Sequence, residues 1–367
     1  MKLRIVIFGL SITSSWGNGH ATTYRGLTKA LAARGHEVIF LERDVPWYRA
    51  HRDCSALPHC RIELYDRLND LPRRFGSIVK TADLVVLGSY VPDGAILGHW
   101  ITTNARGVTA FYDIDTPVTL NRLDRGDIDY ITAAIIPRFD LYLSFTGGPI
   151  LDLIEDEYGS PRARALYCAV DPEGHAAVNA APRWTLGYIG TFSEDRQPAL
   201  ERMLIEPARR LPQHRFAVAG AKYPNSIRWP ANVEHIEHLA PAAHSEFYSS
   251  QRYTLNVTRA EMAAVGFSPS VRLFEAAACA VPVISDSWPG LETLFAPGKE
   301  ILLVSSTDEV IEILDGLPEA RRRSIAAAAR KRVLEAHTAD HRAIELEQYY
   351  REAIGGLGAK TEVEATA

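Results

Sequence analysis

The sequence predicts an α/β protein built from two successive doubly wound domains. Short β-branched runs alternate with helical patterns along nearly the whole chain. The alternation stops once, at 171–183, where Ala, Pro and Gly dominate without an apolar period, and it then starts again. Nearly continuous apolar strands separated by helices are typical of parallel sheets that are covered on both faces.

The elements of the first half begin with an apolar strand and an amphipathic helix. Within the helical pattern at 22–34, Leu27, Ala30 and Leu31 recur at helical spacing, and Gly35 follows where a C-cap favours positive φ. The predicted strands of this half are 4–8, 37–41, 84–87, 108–112, 141–145 and 166–168. We expect this domain to span 1–172.

The second half repeats the pattern over 184–336. Its predicted strands are 186–189, 216–219, 233–236, 254–257, 281–285 and 301–304, and its helical patterns include 199–210, 272–279 and 310–314. Two longer helices are predicted at 320–336 and 339–354, and we expect 355–367 to form a flexible tail.

Composition excludes several classes of protein. With 367 residues, 47% apolar and 23% charged, the chain is long and apolar enough for two globular domains. Forty basic against 45 acidic residues give a net charge of -5, which provides no global field for nucleic acid or an anionic membrane. Four cysteines are too few for a disulfide scaffold. The sequence contains no apolar run long enough to cross a membrane, and its apolar start is too short for a signal peptide. We therefore expect a cytoplasmic protein.

The first strand is followed by a polar loop that ends in glycines at the start of a helix. Gly17, Asn18 and Gly19 precede His20, and amides at a helix N-terminus attract anions while glycine permits close approach. The spacing matches neither a dinucleotide fingerprint nor a Walker A loop, and a flexible turn is the alternative. His20 is interpreted either as an acid–base or acceptor-contact residue or as a bystander.

A second polar segment follows the strand 108–112. Asp113 and Asp115 lie one residue apart at its tip, so such a pair could bind a metal, supply a base or hold sugar hydroxyls. Capping of the next helix by Asp115 or Thr116 is the structural alternative. Tyr90, in the turn after 84–87, suits either a cleft lining or a plain turn.

In the second half, polar and basic residues again follow the strands. The strand 186–189 ends at Gly190, and Arg196 then stands just before a helix, where it could neutralise a phosphate or lie exposed. Glu275 lies inside an otherwise apolar helix, where an unpaired carboxylate is costly to bury and a ribose diol would be an ideal partner. Ser270 and Arg272 at the start of that helix offer amides and a cation for a diphosphate.

The segment 266–286, with Ser270, Arg272, Phe274 and Glu275 in the pattern S-x-R-x-F-E-A-A-A-C, resembles the donor-binding region of retaining group 1 glycosyltransferases. It is most similar to their CgeB-like (spore maturation protein) branch, and the likeness spans most of 187–304. The resemblance implies the GT-B fold, in which two Rossmann-like domains face each other across a cleft. It also implies that the carboxylate at 275 holds the nucleotide ribose. The donor-binding residues that it suggests are Gly190, Arg196, Arg259, Ser270, Arg272 and Glu275.

The implied activity is transfer of a sugar from a nucleotide-sugar donor to an unidentified acceptor, with retention and without a metal or cofactor. The acceptor would lie on the first domain, against which the helix 339–354 would pack. Candidate catalytic residues are His20, Asp113 and Asp115, and candidate acceptor or phosphate contacts are Gly17, Asn18, Gly19, Tyr90 and Thr116. Phe267 stands eight residues before Glu275, where the group 1 pattern often has a second Glu. A nucleotide-sugar 2-epimerase and a catalytically degenerate nucleotide-sugar-binding protein are the alternatives on this fold.

Overall fold

The computed structural model describes residues 1–127 and 130–364, which form two compact units. The first unit comprises Met1–Cys168 together with the helix that begins at Ala339, and the second comprises Ala169–Thr338. Each unit contains a parallel sheet with helices, which confirms the predicted α/β class. None of the helices in this part of the chain combines the length and apolar character that a membrane span requires.

In the described part of the first unit, a seven-stranded parallel sheet carries the core. Its strands are β1 (Arg4–Gly9), β2 (Glu37–Arg43), β3 (Arg61–Tyr65), β4 (Leu84–Gly88), β5 (Val108–Asp113), β6 (Leu141–Ser144) and β7 (Ala163–Ala165). Its helices are α1 (His20–Ala33), α2 (Pro46–Arg49), α3 (Leu71–Thr81), α4 (Gly94–Asn104), α5 (Thr116–Asp124) and α6 (Ile150–Asp156). The strand order is β3-β2-β1-β4-β5-β6-β7, so the direction of winding reverses between β1 and β4.

Over residues 169–338 the second unit has a six-stranded parallel sheet. Its strands are β8 (Trp184–Ile189), β9 (Phe216–Ala219), β10 (Val233–Ile236), β11 (Gln251–Asn256), β12 (Val283–Ser285) and β13 (Leu302–Leu303). Its helices are α7 (Gln197–Leu200), α8 (Glu206–Arg210), α9 (His244–Ser249), α10 (Ala260–Val265), α11 (Val271–Ala278), α12 (Leu291–Leu294), α13 (Thr307–Gly316) and α14 (Glu319–Ala336). The order β10-β9-β8-β11-β12-β13 reverses between β8 and β11.

These reversals position the candidate sites. In open α/β sheets, ligands bind outside the carboxyl ends of the strands, where the strand order reverses. The loops after β1 and β4 therefore define the relevant edge of the first sheet. The loops after β8 and β11 define that of the second.

Two sequence predictions at the edge of the first sheet were wrong. The strand β3 was not predicted, because polar and apolar residues alternate in its Arg61-Ile62-Glu63 pattern, as suits an edge strand, and form no continuous apolar run. The strand predicted at 166–168 lies instead at Ala163–Ala165, where it pairs with β6. Leu166 and Cys168 are buried all the same, at 0% and 1% exposure, because they follow directly on that pairing.

The helix predicted at 199–210 is observed, but it contains a π-helical turn over Glu201–Ile205 between α7 and α8. Pro207 follows that turn and has no N–H to donate to the carbonyl four residues earlier. Regular α-helical bonding is therefore interrupted at this point.

The final helix, α15 (Ala339–Glu364), packs against α1 of the first unit. The Glu347 carboxylate receives two hydrogen bonds from the Arg34 guanidinium, at 2.6 and 2.9 Å, and lies 2.9 Å from Nε2 of His36. The helix α15 extends to Glu364 and so includes part of the segment 355–367 that the sequence predicted as a flexible tail. Residues 365–367 of that predicted tail lie outside the described residues.

We expect Glu347→Gln to lower the free energy of unfolding by about 2 kcal/mol at pH 7, the scale of charge-assisted hydrogen bonds. The Arg34 hydrogen bonds lower the pKa of Glu347 to about 2 from its ordinary 4.5. The stabilisation is therefore complete above pH 4.5 and is lost as the pH falls towards 2. Urea denaturation of both proteins from pH 7 to pH 3 should show the difference shrinking. A difference that stays constant over this range would contradict the ion pair's contribution.

Candidate functional site

Two loops at the switch point of the second sheet carry basic residues. Arg196 lies in the loop that follows β8, and Arg259 lies in the loop that follows β11. Asp195 links the loops, because its Oδ2 accepts a hydrogen bond from the Ala260 amide at 3.2 Å and lies 3.6 Å from Nε of Arg259. Two of the predicted donor-binding arginines therefore lie at one edge of one sheet.

Arg272, on α11, bridges the ends of the same two strands. Its Nε donates to the Ile189 carbonyl at 2.6 Å, and its Nη1 donates to Oδ1 of Asn256 at 2.7 Å. The guanidinium also lies 4.6 Å from the centroid of the Tyr188 ring, a cation–π contact. With only 6% of the residue exposed, Arg272 is a fixed positive charge at the switch point.

The sequence analysis missed Asn256, which is the centre of a buried polar network. Its Oδ1 also accepts a hydrogen bond from the Ser270 hydroxyl at 2.7 Å, and its Nδ2 donates to Oγ of Ser285 at 2.9 Å and to Asp286 at 3.4 Å. Asp286 in turn accepts from the Thr258 amide and hydroxyl, both at 3.0 Å, and burial raises its pKa. The signal in the sequence was a side-chain amide at the carboxyl end of a strand, the position where ligands of α/β sheets bind.

The loop after β8 is held close to the neighbouring strand. Gly190 and Gly220 lie in close contact. A Cβ at position 220 would overlap the Gly190 carbonyl oxygen, which explains why residue 220 is a glycine. That oxygen accepts a hydrogen bond from the Tyr223 hydroxyl at 3.1 Å. Further along, Arg196 donates from Nη2 to the Thr191 carbonyl at 2.7 Å, while its buried Nε has no hydrogen-bond partner within the described chain.

Glu275 is buried and has polar partners within the second unit. Its Oε2 accepts a hydrogen bond from the Tyr248 hydroxyl at 3.1 Å, and its Oε1 lies 3.3 Å from Nε2 of His175. Nδ1 of His244 lies 3.9 Å from Oε2 of Glu275. These partners are distant in the sequence, so no local pattern indicated them. Contact between Glu275 and a nucleotide ribose stays a prediction.

Phe267, in the position of the second Glu, packs against a tight turn. Its amide donates to the Pro289 carbonyl at 2.7 Å, and its ring lies against Gly290, where any Cβ would overlap it. Gly290 has φ +86°, a conformation that also favours glycine. Phe267 is therefore a packing residue at this position.

In the first unit, Glu42 holds the loop that follows β1. Its buried carboxylate accepts hydrogen bonds from the Ser11 hydroxyl at 2.9 Å and the Ile12 amide at 2.8 Å. It also accepts from the amide and hydroxyl of Thr13, at 3.0 and 2.6 Å. The sequence analysis missed this residue, whose signal was a carboxylate directly after the apolar residues 38–41 of the predicted strand. These hydrogen bonds hold the loop in place, which argues against the alternative interpretation of a flexible turn.

The predicted phosphate loop is organised by Asn18. Its Nδ2 donates to the carbonyls of Ser11 and Ser14, at 3.1 and 3.2 Å, and its Oδ1 accepts from the His20 amide at 3.1 Å. Asn18 is 4% exposed and so supports the loop from within. Its neighbours Gly17 and Gly19 are exposed.

His20 is the first residue of α1, and its ring lies 5.2 Å from that of Phe145. Burial lowers its pKa to about 3, so the imidazole is neutral at physiological pH. Its Nδ1 is buried and has no hydrogen-bond partner among the residues that the structure describes. A neutral imidazole carries one N–H donor and one acceptor nitrogen.

The two predicted acids after β5 have different environments. Asp113 is fully buried and accepts hydrogen bonds from the Tyr142 hydroxyl at 2.6 Å and the Thr119 hydroxyl at 2.9 Å, and burial raises its pKa. Asp115 is only half-buried and accepts from the Tyr90 hydroxyl at 2.8 Å. Thr116 is buried against Ser144, with their hydroxyl oxygens 2.7 Å apart. The two carboxylates therefore have separate partners, and their catalytic roles stay predictions.

Comparison with known proteins shows which class of protein this chain resembles. Residues 196–348, less than half of the chain, match the family model described as "Glycosyl transferase-like". This range contains Arg196, Arg259, Arg272 and Glu275, and the match confirms the resemblance to glycosyltransferases predicted from the sequence. A search of curated proteins found no match.

Solved structures match over nearly the whole chain and confirm the GT-B fold. Sucrose-phosphate synthase from Thermosynechococcus elongatus is similar with a TM-score of 0.68 and 16% identity, covering 96% of this chain and 100% of that one. Anabaena HepE in complex with UDP and glucose is similar at 0.68 and 13%, covering 95% and 100%. An alpha-glucosyltransferase in complex with UDP-glucose and DNA containing an abasic site matches at 0.68 and 11%, covering 96% and 100%. At sequence identities of 16%, 13% and 11%, this structural similarity shows the fold alone.

Proposed function

We propose that the protein is a glycosyltransferase that transfers a hexose from a UDP-sugar to an acceptor hydroxyl. The observation that carries the proposal is the set of three arginines, Arg196, Arg259 and Arg272, at the switch point of the second sheet. The family match covers these residues. The choice of UDP is supported by the similar structures solved with UDP and glucose and with UDP-glucose.

In this proposal the arginines bind the diphosphate of the donor. Guanidinium groups suit phosphate because they present paired donors and remain charged. Arg272 is held in place by Ile189 and Asn256, so it needs little reorganisation as charge develops on the leaving diphosphate. The amides at the start of α11, beside Ser270, would add a helix N-terminus to the same charge. Transfer would then need no added Mg²⁺ or Mn²⁺.

We further propose retention of anomeric configuration, from the resemblance to retaining group 1 enzymes. Phe267 packs on Gly290 and offers no carboxylate at the position of the second Glu. Another group must therefore contact the donor sugar. The anomeric configuration of the product, read by NMR of the new glycosidic bond, tests this part of the proposal.

We assign acceptor binding to the carboxyl edge of the first sheet. The loop around Gly17 and Gly19 is exposed there, and Asp115 with its partner Tyr90 is half-buried and so can be reached by a ligand. Asp113 is fully buried, which favours a positioning role for it. His20 would orient the acceptor, because an imidazole whose pKa lies near 3 is a poor general base at neutral pH.

We expect His20→Gln to lower turnover by about 10-fold or more while UDP affinity stays unchanged, which is the scale of one lost orienting hydrogen bond. The pH profiles of kcat/KM should have the same shape near pH 6.5 in the wild type and in His20→Gln. The reason is that the wild-type ring is already neutral at that pH. Steady-state kinetics from pH 5 to 8 measure both quantities. An inflection near 6.5 that is lost in His20→Gln would show that the ring titrates and acts as a base.

The proposal as a whole is tested by binding and by turnover. A thermal-shift panel of UDP, GDP, ADP and several UDP-hexoses should show stabilisation by the uridine ligands, since ligands stabilise the fold by mass action. UDP release should then depend on an added acceptor, in the absence of added metal. Interconversion of a UDP-sugar without UDP release would indicate a 2-epimerase. Binding without any conversion across a broad acceptor panel would indicate a degenerate binding protein.

A further inference from the structure

A groove in the second unit lies between the helix α14 and the turn that follows α11. Its volume is about 530 Å³, a size typical of small-molecule sites. Ala280 lines it from the turn, and the other lining residues belong to α14. The helix α11 has eight residues and is therefore about 12 Å long, with Arg272 in its first turn and the groove at its other end. The groove is thus distinct from the switch point where Arg272 lies.

The sequence of α14 places alanines between two basic runs. Residues 321–323 are Arg-Arg-Arg and residues 330–332 are Arg-Lys-Arg, one on each side of an alanine-rich stretch. Ile325, Ala329 and Val333 are buried and hold the helix in place against α11 and the core. The apolar residues that line the groove are mostly small, which leaves the space open: Ala280, Ala326, Ala327 and Leu334.

Four basic side chains also line the groove, and two of them share one carboxylate. Arg322 and Arg323 lie 2.7 and 2.8 Å from Oε1 of Glu319. Their hydrogen bonds lower the pKa of Glu319 to about 2 from its ordinary 4.5, as expected where basic groups outnumber acidic ones. This end of the groove therefore keeps a positive charge after pairing.

The other two basic residues, Arg330 and Lys331, are less neutralised. Arg330 donates from Nε to the Ala278 carbonyl at 3.2 Å, and within the described chain no carboxylate pairs with it. Lys331 lies 3.9 Å from Glu335, with both side chains mostly exposed, at 75% and 63%. Such an exposed pair contributes little. The groove is therefore positively charged, in a protein whose net charge is -5.

We propose that this groove binds a phosphate ester, with the phosphate against Arg330 and Lys331 and an apolar part of the ligand along the alanines. Guanidinium groups suit phosphate because they present paired donors and remain charged. The bond to Ala278 uses Nε of Arg330, which holds the side chain and leaves its two Nη groups for phosphate oxygens. Such an ester is either a soluble molecule or the headgroup of a lipid. The site is independent of the proposed transferase activity.

Isothermal titration of the full chain with hexyl phosphate tests the site without an activity assay. We expect binding that weakens as salt is added, because the groove is open to solvent. The double variant Arg330→Gln, Lys331→Gln should lose about 10-fold or more in affinity, the scale of one charge-assisted hydrogen bond. Arg209→Gln, Arg210→Gln removes the same charge from exposed positions of α8 and should keep the affinity within about 2-fold. Thermal melting verifies that each variant is folded.

Ala327→Trp separates a shaped site from diffuse attraction to a basic surface. Residue 327 is exposed on α14 and lines the groove, so an indole there fills the space without changing the charge. We expect this variant to lose hexyl phosphate binding as the basic double variant does.

Sedimentation with vesicles of phosphatidylglycerol, with phosphatidylcholine vesicles as the reference, distinguishes the two sources of the phosphate. Binding to phosphatidylglycerol vesicles that is lost in Arg330→Gln, Lys331→Gln would identify a lipid headgroup. Binding of hexyl phosphate alone would identify a soluble ester. The proposal is overturned if the wild-type protein binds neither probe, or if the basic double variant or Ala327→Trp binds them as tightly as the wild type does.

Discussion

Replacing Glu42 with alanine is expected to lower the free energy of unfolding by about 3–5 kcal/mol, the scale of breaking a buried charged network. The carboxylate is fully buried at the end of β2 and accepts four hydrogen bonds from the loop after β1. Without it, the amides of Ile12 and Thr13 and two hydroxyls lose their acceptor. Each buried donor left without a partner costs about 1–3 kcal/mol.

Urea denaturation at pH 7 measures this effect, and the same strand offers a matched control. Glu37 begins β2 but is exposed and pairs with Arg4 at the surface. Glu37→Ala should therefore change the stability by no more than about 1 kcal/mol, as exposed ion pairs do. Equal losses in the two variants would show that the loop does not depend on the buried carboxylate.

The fold could be predicted because its central strands are buried on both faces. The strand β1 reads Ile5-Val6-Ile7-Phe8, four residues at 0–1% exposure, and such a run has few interpretations. The edge strands β3 and β7 lack this signal, since one of their edges has no partner strand and they contain polar residues. Prediction therefore succeeded at the centre of the first sheet and failed at its edges.

The location of a site residue was predictable only where its position along the chain fixes the sheet edge at which it lies. Arg196 and Arg259 follow strands that are adjacent at the switch point, so sequence position alone brings them to one edge. Pairing between distant segments could not be predicted. The contacts of Glu275 with His175 and Tyr248 are an example, because these residues belong to other segments of the chain.

The acids after β5 illustrate the same limit. Alternation along the strand placed Asp113 and Asp115 on one side, as if they formed a single site. The fold instead provides the hydroxyls of Tyr142 and Thr119 for Asp113, and that of Tyr90 for Asp115. Which hydroxyl reaches which carboxylate depends on packing between strands and helices, which no local pattern encodes.

The double variant Arg196→Gln, Arg259→Gln is expected to weaken UDP binding by about 10²–10³-fold. Each charge-assisted hydrogen bond contributes about 1.5–3 kcal/mol, and partial exposure of these side chains reduces the sum. Arg272 is left unchanged, because its bonds to Ile189 and Asn256 join two strands and its loss would disturb the fold. Isothermal titration of UDP measures the affinity, and thermal melting verifies that the variant is folded.

The control must remove the same charge from the same unit. Arg209 and Arg210 on α8 are exposed, with side chains 45% and 48% accessible, and they pair with surface acids. Arg209→Gln, Arg210→Gln should therefore leave UDP affinity within about 2-fold, since charges beyond roughly a Debye length are screened at physiological salt. If both double variants bind UDP equally well, the diphosphate does not lie between the loops that follow β8 and β11. Uridine affinity unchanged between the two double variants, with UDP affinity reduced only in the first, would place the diphosphate itself against Arg196 and Arg259.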